Sequence, residues 1–171
     1  MADKLRKETE KENRLIREGL YKAAADPTKT FITPAPKAEV PYFNFAPLQN
    51  ALASLQKSTT AFEKARKNVL AVQQQAALNQ ALMGMEQQLL RKEGLPRRSW
   101  YKHHIYAPGF YTGYGVKTLP GIREAIEERQ YEEAQEQILI LAEVLASFTR
   151  QIDQATALLQ QGQPPAEALG K

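Results

Sequence analysis

The chain has 171 residues, 43% apolar and 25% charged, with a mean hydropathy of -0.51 and a formal net charge of +4 from 23 basic and 19 acidic residues. That length and composition fit one globular domain with a core of its own, and no run approaches the roughly 20 apolar residues that a membrane span needs. The two signs of charge are interleaved, which argues against a nucleic-acid-binding face, and the absence of cysteine removes disulfides, thiolate chemistry and every Cys-based zinc site.

The amino terminus is charged and has no apolar stretch of the kind a signal peptide carries, so the signal of an exported parent would lie elsewhere. Residues 2–24 are rich in Lys, Glu, Arg, Leu and Ala and predict a first helix, whose apolar stripe of Leu5, Leu15, Ile16 and Leu20 is thin. A helix that polar needs a larger body to lean on. From Asp26 to Pro47, five prolines (Pro27, Pro34, Pro36, Pro41 and Pro47) forbid regular helix and predict an extended strap. Its Phe31, Ile32, Val40, Tyr42, Phe43 and Phe45 predict that apolar side chains pin it down.

Pro47 suits the first turn of a second helix over 47–70, along which Leu48, Leu52, Leu55, Thr59, Phe62 and Val69 recur at three-four spacing. A further stripe, Leu78, Leu82, Met85 and Leu89, predicts a third helix over 75–93 that stops at Gly94. One helix running from 47 to 93 would be about 70 Å long, too long for a domain of this size, so a break is placed between Asn68 and Gln75.

Residues 95–119 predict a long loop and 120–128 a short helix. The stretch from Leu95 to Ile122 holds the only Trp, both His and four of the seven Tyr. An aromatic loop of this length between plain helices is the place to look for function. The last helix, over 132–160, carries Ile138, Leu141, Leu145, Phe148, Ile152, Ala155 and Leu159 in alternating steps of three and four, the seam of a core or of a dimer contact. Residues 161–171 predict a frayed tail. The sum is an all-α domain, an up-and-down four-helix bundle with a Pro-rich strap and a long aromatic loop between its third and fourth helices.

The aromatic loop contains no recognisable catalytic motif. His103 and His104 are adjacent, so their side chains diverge and cannot share one metal without strain, and Asp153 is the sole Asp beyond position 26. Neither a nucleophile elbow, a phosphate loop nor a dinucleotide fingerprint is present. Arg97, Arg98, Lys102 and His103 with Trp100 and Tyr101 make a small basic-aromatic cluster that could stack on bases; a loop whose Arg stems pack on its own rings is the favoured reading. Tyr106, Phe110, Tyr111 and Tyr114, interspersed with Gly, suit a ligand-facing wall and buried anchoring equally well.

The run Trp100 to Pro108 (Trp-Tyr-Lys-His-His-Ile-Tyr-Ala-Pro), the Tyr-Thr-Gly-Tyr-Gly of 111–115 and the Thr-Leu-Pro-Gly-Ile of 118–122 resemble the C-terminal domain of the glutamate carboxypeptidase and transferrin receptor family, known as the transferrin receptor-like dimerisation domain. Glu12 to Pro27 and Val40 to Leu48 extend the resemblance, toward bacterial members. It implies a four-helix bundle that follows a protease domain and contributes to a homodimer interface. Enzymes of this family use two zinc ions, whose ligands lie in the protease domain. The chain is then a non-catalytic module that brings no cofactor of its own, with the protease domain of its own parent as partner. Neither nucleic acid nor membrane is expected as a partner. The location of the chain is left open, and the parent is expected to be exported or periplasmic in a bacterium.

In the glutamate-releasing members a Lys-Tyr pair in this loop grips the substrate's terminal carboxylate, and Gly113-Tyr114 stands at that place here. The resemblance therefore makes Tyr114, Gly113, Tyr111 and Lys117 the substrate-pocket candidates, with Lys117 supplying a cation only if the loop folds back. Without the Lys there is no charge pair at 113–114 to select glutamate. Trp100, Tyr101, His103 and Tyr106 are expected to anchor the loop, and His103, present in enzyme and receptor relatives alike, is expected to be structural. The alternative function is a freestanding helical adaptor that binds a partner helix through the seam. An enzyme in its own right lacks a nucleophile, a base and metal ligands.

Overall fold

The computed structural model describes residues 1–67 and 72–161 and is mainly helical. Among the described residues no helix is long and apolar enough to cross a membrane.

Helix α1 (Ala2–Arg17) is shorter than the predicted 2–24. The Glu18 N–H bonds Arg14 O and the Gly19 N–H bonds Ile16 O, and Gly19 turns left-handed at φ 71°, a conformation glycine adopts at no steric cost. The chain resumes in one further turn, α2 (Leu20–Ala23). Of the predicted stripe only Ile16 is buried; the face turned inward carries Thr9 and Asn13 instead.

That polar face holds the strap. Asn13 donates to Lys37 O and accepts from Lys37 N–H, both at 2.8 Å, and Arg6 donates to Val40 O and Pro41 O at 3.0 and 2.7 Å. Val40 is buried, and Phe43 and Phe45 pack on the core, but Ile32 and Tyr42 stand 85% and 86% exposed. Backbone groups gripped by α1 side chains and the burial of Val40, Phe43 and Phe45 together fasten the strap.

Helix α3 (Ala46–Ala65) starts one residue before Pro47, with Asn44 Oδ1 accepting the Ala46 N–H at 3.0 Å. Its buried ends are Leu48 and Ala65, whereas Leu52 and Thr59 of the predicted stripe face outward. The chain leaves the helix at 66–67; Val69 and the first half of the break expected between Asn68 and Gln75 lie outside the described residues, and the second half is already helical from Val72. Helix α4 (Val72–Met83) and a 3₁₀ turn (Glu86–Leu89) replace the continuous helix expected to residue 93. The reason is long-range: Leu89 O accepts the His104 N–H, Leu90 bridges His103, and the Arg91 N–H bonds Lys102 O, so these backbone groups belong to a returning strand-like segment and not to a helix.

The predicted loop of 95–119 contains an antiparallel pair, β1 (Tyr106–Pro108) and β2 (Val116–Thr118), with Tyr106 opposite Thr118 and Pro108 opposite Val116. Helix α5 (Pro120–Glu127) begins on proline, as expected, and buries Ile122, Glu124, Ala125 and Ile126. Helix α6 (Tyr131–Gln161) is the spine, packing along α3 and against α5, α4 and the 3₁₀ turn. Ile138, Leu141, Leu145, Ile152, Ala155 and Leu159 are buried and Phe148 half-buried. Ile138, Leu141 and Leu145 meet Leu48, Ile122 and Ile126 in the core, so this part of the seam is filled from within the chain. Nearly all of the predicted tail lies outside the described residues.

Candidate functional site

The hairpin β1–β2 projects a tongue, residues 109–115, whose sequence Gly-Phe-Tyr-Thr-Gly-Tyr-Gly explains its shape. At its neck the Gly109 N–H bonds Gly115 O at 2.9 Å, and the Gly113 N–H bonds Gly109 O at 3.0 Å. A Cβ on Gly109 would lie 2.3 Å from Thr112 Oγ1, so only glycine fits there without displacing Thr112; Gly113 turns left-handed at φ 62° in open space. These turns push the aromatic residues outward. Tyr114 is fully exposed, Tyr111 is 77% and Val116 75% exposed, and Phe110 packs edge-on to Tyr111 at 4.9 Å. From 109 to 116 the tongue carries no charge, and Lys117, on β2, is ion-paired with Glu127 of α5.

The base of the tongue is built around a buried ion pair. Arg98 donates to Glu124 Oε2 at 2.6 Å and to Pro108 O, while Glu124 Oε1 accepts the Phe110 N–H at 2.9 Å. The two side chains are 3% and 7% exposed. Arg97, at φ 60°, reaches the opposite way to Glu133 of α6 at 2.7 and 3.0 Å. The Arg98 guanidinium also stacks near the rings of Tyr101 and Phe110, at 5.4 and 5.7 Å. Sequence reasoning placed Arg98 in a basic-aromatic cluster and missed Glu124. The available signal was a carboxylate set among Ile122, Ala125 and Ile126 on a short helix, since a buried Glu demands a cationic partner.

His103 Nδ1 accepts the backbone N–H groups of Ile105 and Tyr106 at 3.3 and 3.2 Å, and its ring lies 4.0 Å from the Tyr106 ring. An accepting Nδ1 means that the proton sits on Nε2, and burial holds the imidazole's pKa below the usual histidine value. The Tyr106 hydroxyl donates to Glu86 at 3.1 Å, and that bond raises its pKa. His104, 4% exposed, is pushed down to about 4 by burial and by the Arg91 charge. Trp100 is 70% exposed and 6.2 Å from the Tyr101 ring, which is itself at 36% exposure.

Zinc does not fit this arrangement. His103 Nδ1 is committed to backbone donors, and among the described residues no three His, Asp or Glu side chains converge to hold a metal ion.

Residues 43–153, more than half of the chain, match the family described as the transferrin receptor-like dimerisation domain. The chain belongs to that family. The match to the dimerisation domain runs from the end of the strap through most of α6 and takes in the whole tongue. Two curated relatives are each named "Probable glutamate carboxypeptidase". The protein from Arabidopsis thaliana is 40% identical over 76 residues, which is 44% of this chain and 11% of the relative. The one from Arthroderma benhamiae is 36% identical over 91 residues, 53% of this chain and 12% of the relative. The matched part of the dimerisation domain thus spans about a tenth of those proteins.

Proposed function

We propose that the chain is the non-catalytic C-terminal module of a glutamate carboxypeptidase-like zinc exopeptidase, where it forms the homodimer contact and completes the substrate pocket of its own protease domain. In this reading α1, α3, α4 and α6 make up an up-and-down four-helix bundle, and the parent's protease domain holds the two zinc ions. The observation that carries it is the tongue: a uncharged aromatic projection, fastened at its base by a buried ion pair, with Tyr114 fully exposed. An isolated chain gains nothing by holding two tyrosines and a valine out in water on so ordered a support; a surface that covers them does. Tyr114 supplies a hydroxyl for a substrate carboxylate or backbone group. The tongue itself carries no cation to select an acidic side chain, and Lys117 on β2 and Arg98 at its root are paired with Glu127 and Glu124.

For the dimer, α3 and α6 leave Leu52 and Leu139 about half exposed, at 49% and 46%. The adaptor reading has less support, because Ile138, Leu141 and Leu145 of the seam on which it depends are already packed inside the chain.

Light scattering on the parent protein tests the dimer, with twice the mass of one chain expected; a monomer at micromolar concentration would refute it. Peptidase assays of the parent with and without residues 109–115 test the pocket, and equal kcat/KM in the two would refute that half.

A further inference from the structure

Arg98 and Glu124 close a circuit around the root of the tongue. The two backbone groups they hold, Pro108 O and the Phe110 N–H, flank Gly109, where β1 ends and the tongue begins. Arg97, next to Arg98 in the turn after Gly94, is tied to Glu133, so the residue that holds the root of the tongue is referenced to α6 as well as to α5.

Such a pair is a poor device for stability alone. Desolvating two charges offsets most of their attraction, and apolar residues of similar volume commonly serve a fold as well. What apolar residues cannot do is grip two backbone groups on either side of one glycine. A planar guanidinium with several donors and a carboxylate with two oxygens can do so.

We propose that Arg98 and Glu124 are positioning residues, which set the register and angle at which the tongue leaves the hairpin and hence where Tyr111 and Tyr114 stand. This rests on reading the tongue as a pocket wall, and it names the side chains that determine the geometry of that wall.

The test uses the full-length protein that carries this chain and the double variant Arg98→Met/Glu124→Leu, which removes both charges and leaves neither buried alone. The readout is amide hydrogen exchange at Gly113, whose N–H bonds Gly109 O and touches neither member of the pair. The variant is expected to melt within a few degrees of the natural protein while Gly113 exchanges about tenfold faster or more and KM rises about tenfold with kcat little changed. Arg98→Lys, which keeps the charge but loses the fork, is expected to loosen Gly113 as well. Unchanged Gly113 exchange in both variants overturns the proposal. So does a double variant that melts far below the natural protein, since the pair would then act through the stability of the whole fold. Faster exchange with unaltered KM supports the positioning role and removes the pocket-wall reading alone.

Discussion

Arg98 and Glu124 lie 26 residues apart in the chain and 2.6 Å apart in space, joining the turn after Gly94, the hairpin and α5 at one buried point. The pair thereby ties the turn and the hairpin to a helix that is itself anchored in the core through Ile122, Ala125 and Ile126.

Arg98→Ala leaves Glu124 buried without its counter-charge and is expected to cost about 3 to 5 kcal/mol, read as a fall in the urea midpoint. Equal midpoints would show that water reaches the carboxylate. The cost should exceed that of the apolar double replacement, a non-additivity that a double-mutant cycle measures directly.

Gly94 and Gly113 share a left-handed backbone, at φ 71° and 62°, but not the same surroundings. A Cβ at Gly94 would lie 2.3 Å from Ser99 O, a backbone atom, whereas nothing stands within 4 Å at Gly113. Gly113→Ala is expected to cost about 1 kcal/mol for the backbone conformation alone, and Gly94→Ala clearly more. Denaturation midpoints in the reverse order would contradict this account of the turn at 94–99.

His104 makes the fold sensitive to acid. Its folded pKa, about 4, lies below the ordinary 6.5 because burial and then the Arg91 charge disfavour the imidazolium. The unfolded chain therefore takes up the proton first. The stability associated with a neutral His104 is complete above about pH 6.5, falls between there and pH 4 by roughly 3 kcal/mol, and levels off below. Thermal melts across this range check it, and His104→Gln is expected to flatten the slope. An unchanged slope would assign the acid sensitivity to other groups.

Tyr114 has no burial to lose, so Tyr114→Phe is expected to leave stability within about 0.5 kcal/mol of the natural protein. In the parent enzyme the same change is expected to lower kcat/KM about tenfold, the equivalent of one hydrogen bond of roughly 1.5 kcal/mol. Unaltered kinetics would mean that the hydroxyl touches no substrate.

The helices were legible where their signals were local. Pro120 started α5, and the three-four steps from Ile138 to Leu159 traced the inner face of α6. Glycines at 109, 113 and 115 mark the tongue, but the short hairpin beneath it has no sequence signal, because three-residue strands carry too few positions for alternation to register. The prolines mark the strap in the sequence, and Val40, Phe43 and Phe45 pin it by burial as their types predict; the grip of Asn13 and Arg6 of α1 on its backbone leaves no such pattern.

The sequence by itself determined the helical class, the uncharged aromatic composition of the tongue and the family resemblance, since each rests on residue types and on spacings within a few turns. The tertiary structure decided what depends on the chain returning to itself. It kept the helix from running on to residue 93, because the backbone of 89–91 finds partners at 102–104, and it brought Arg98 to Glu124. A hydrogen bond from i to i+4 is written in neighbouring residues; one that spans 26 residues exists only after the core has formed and excluded the water that would otherwise solvate both charges.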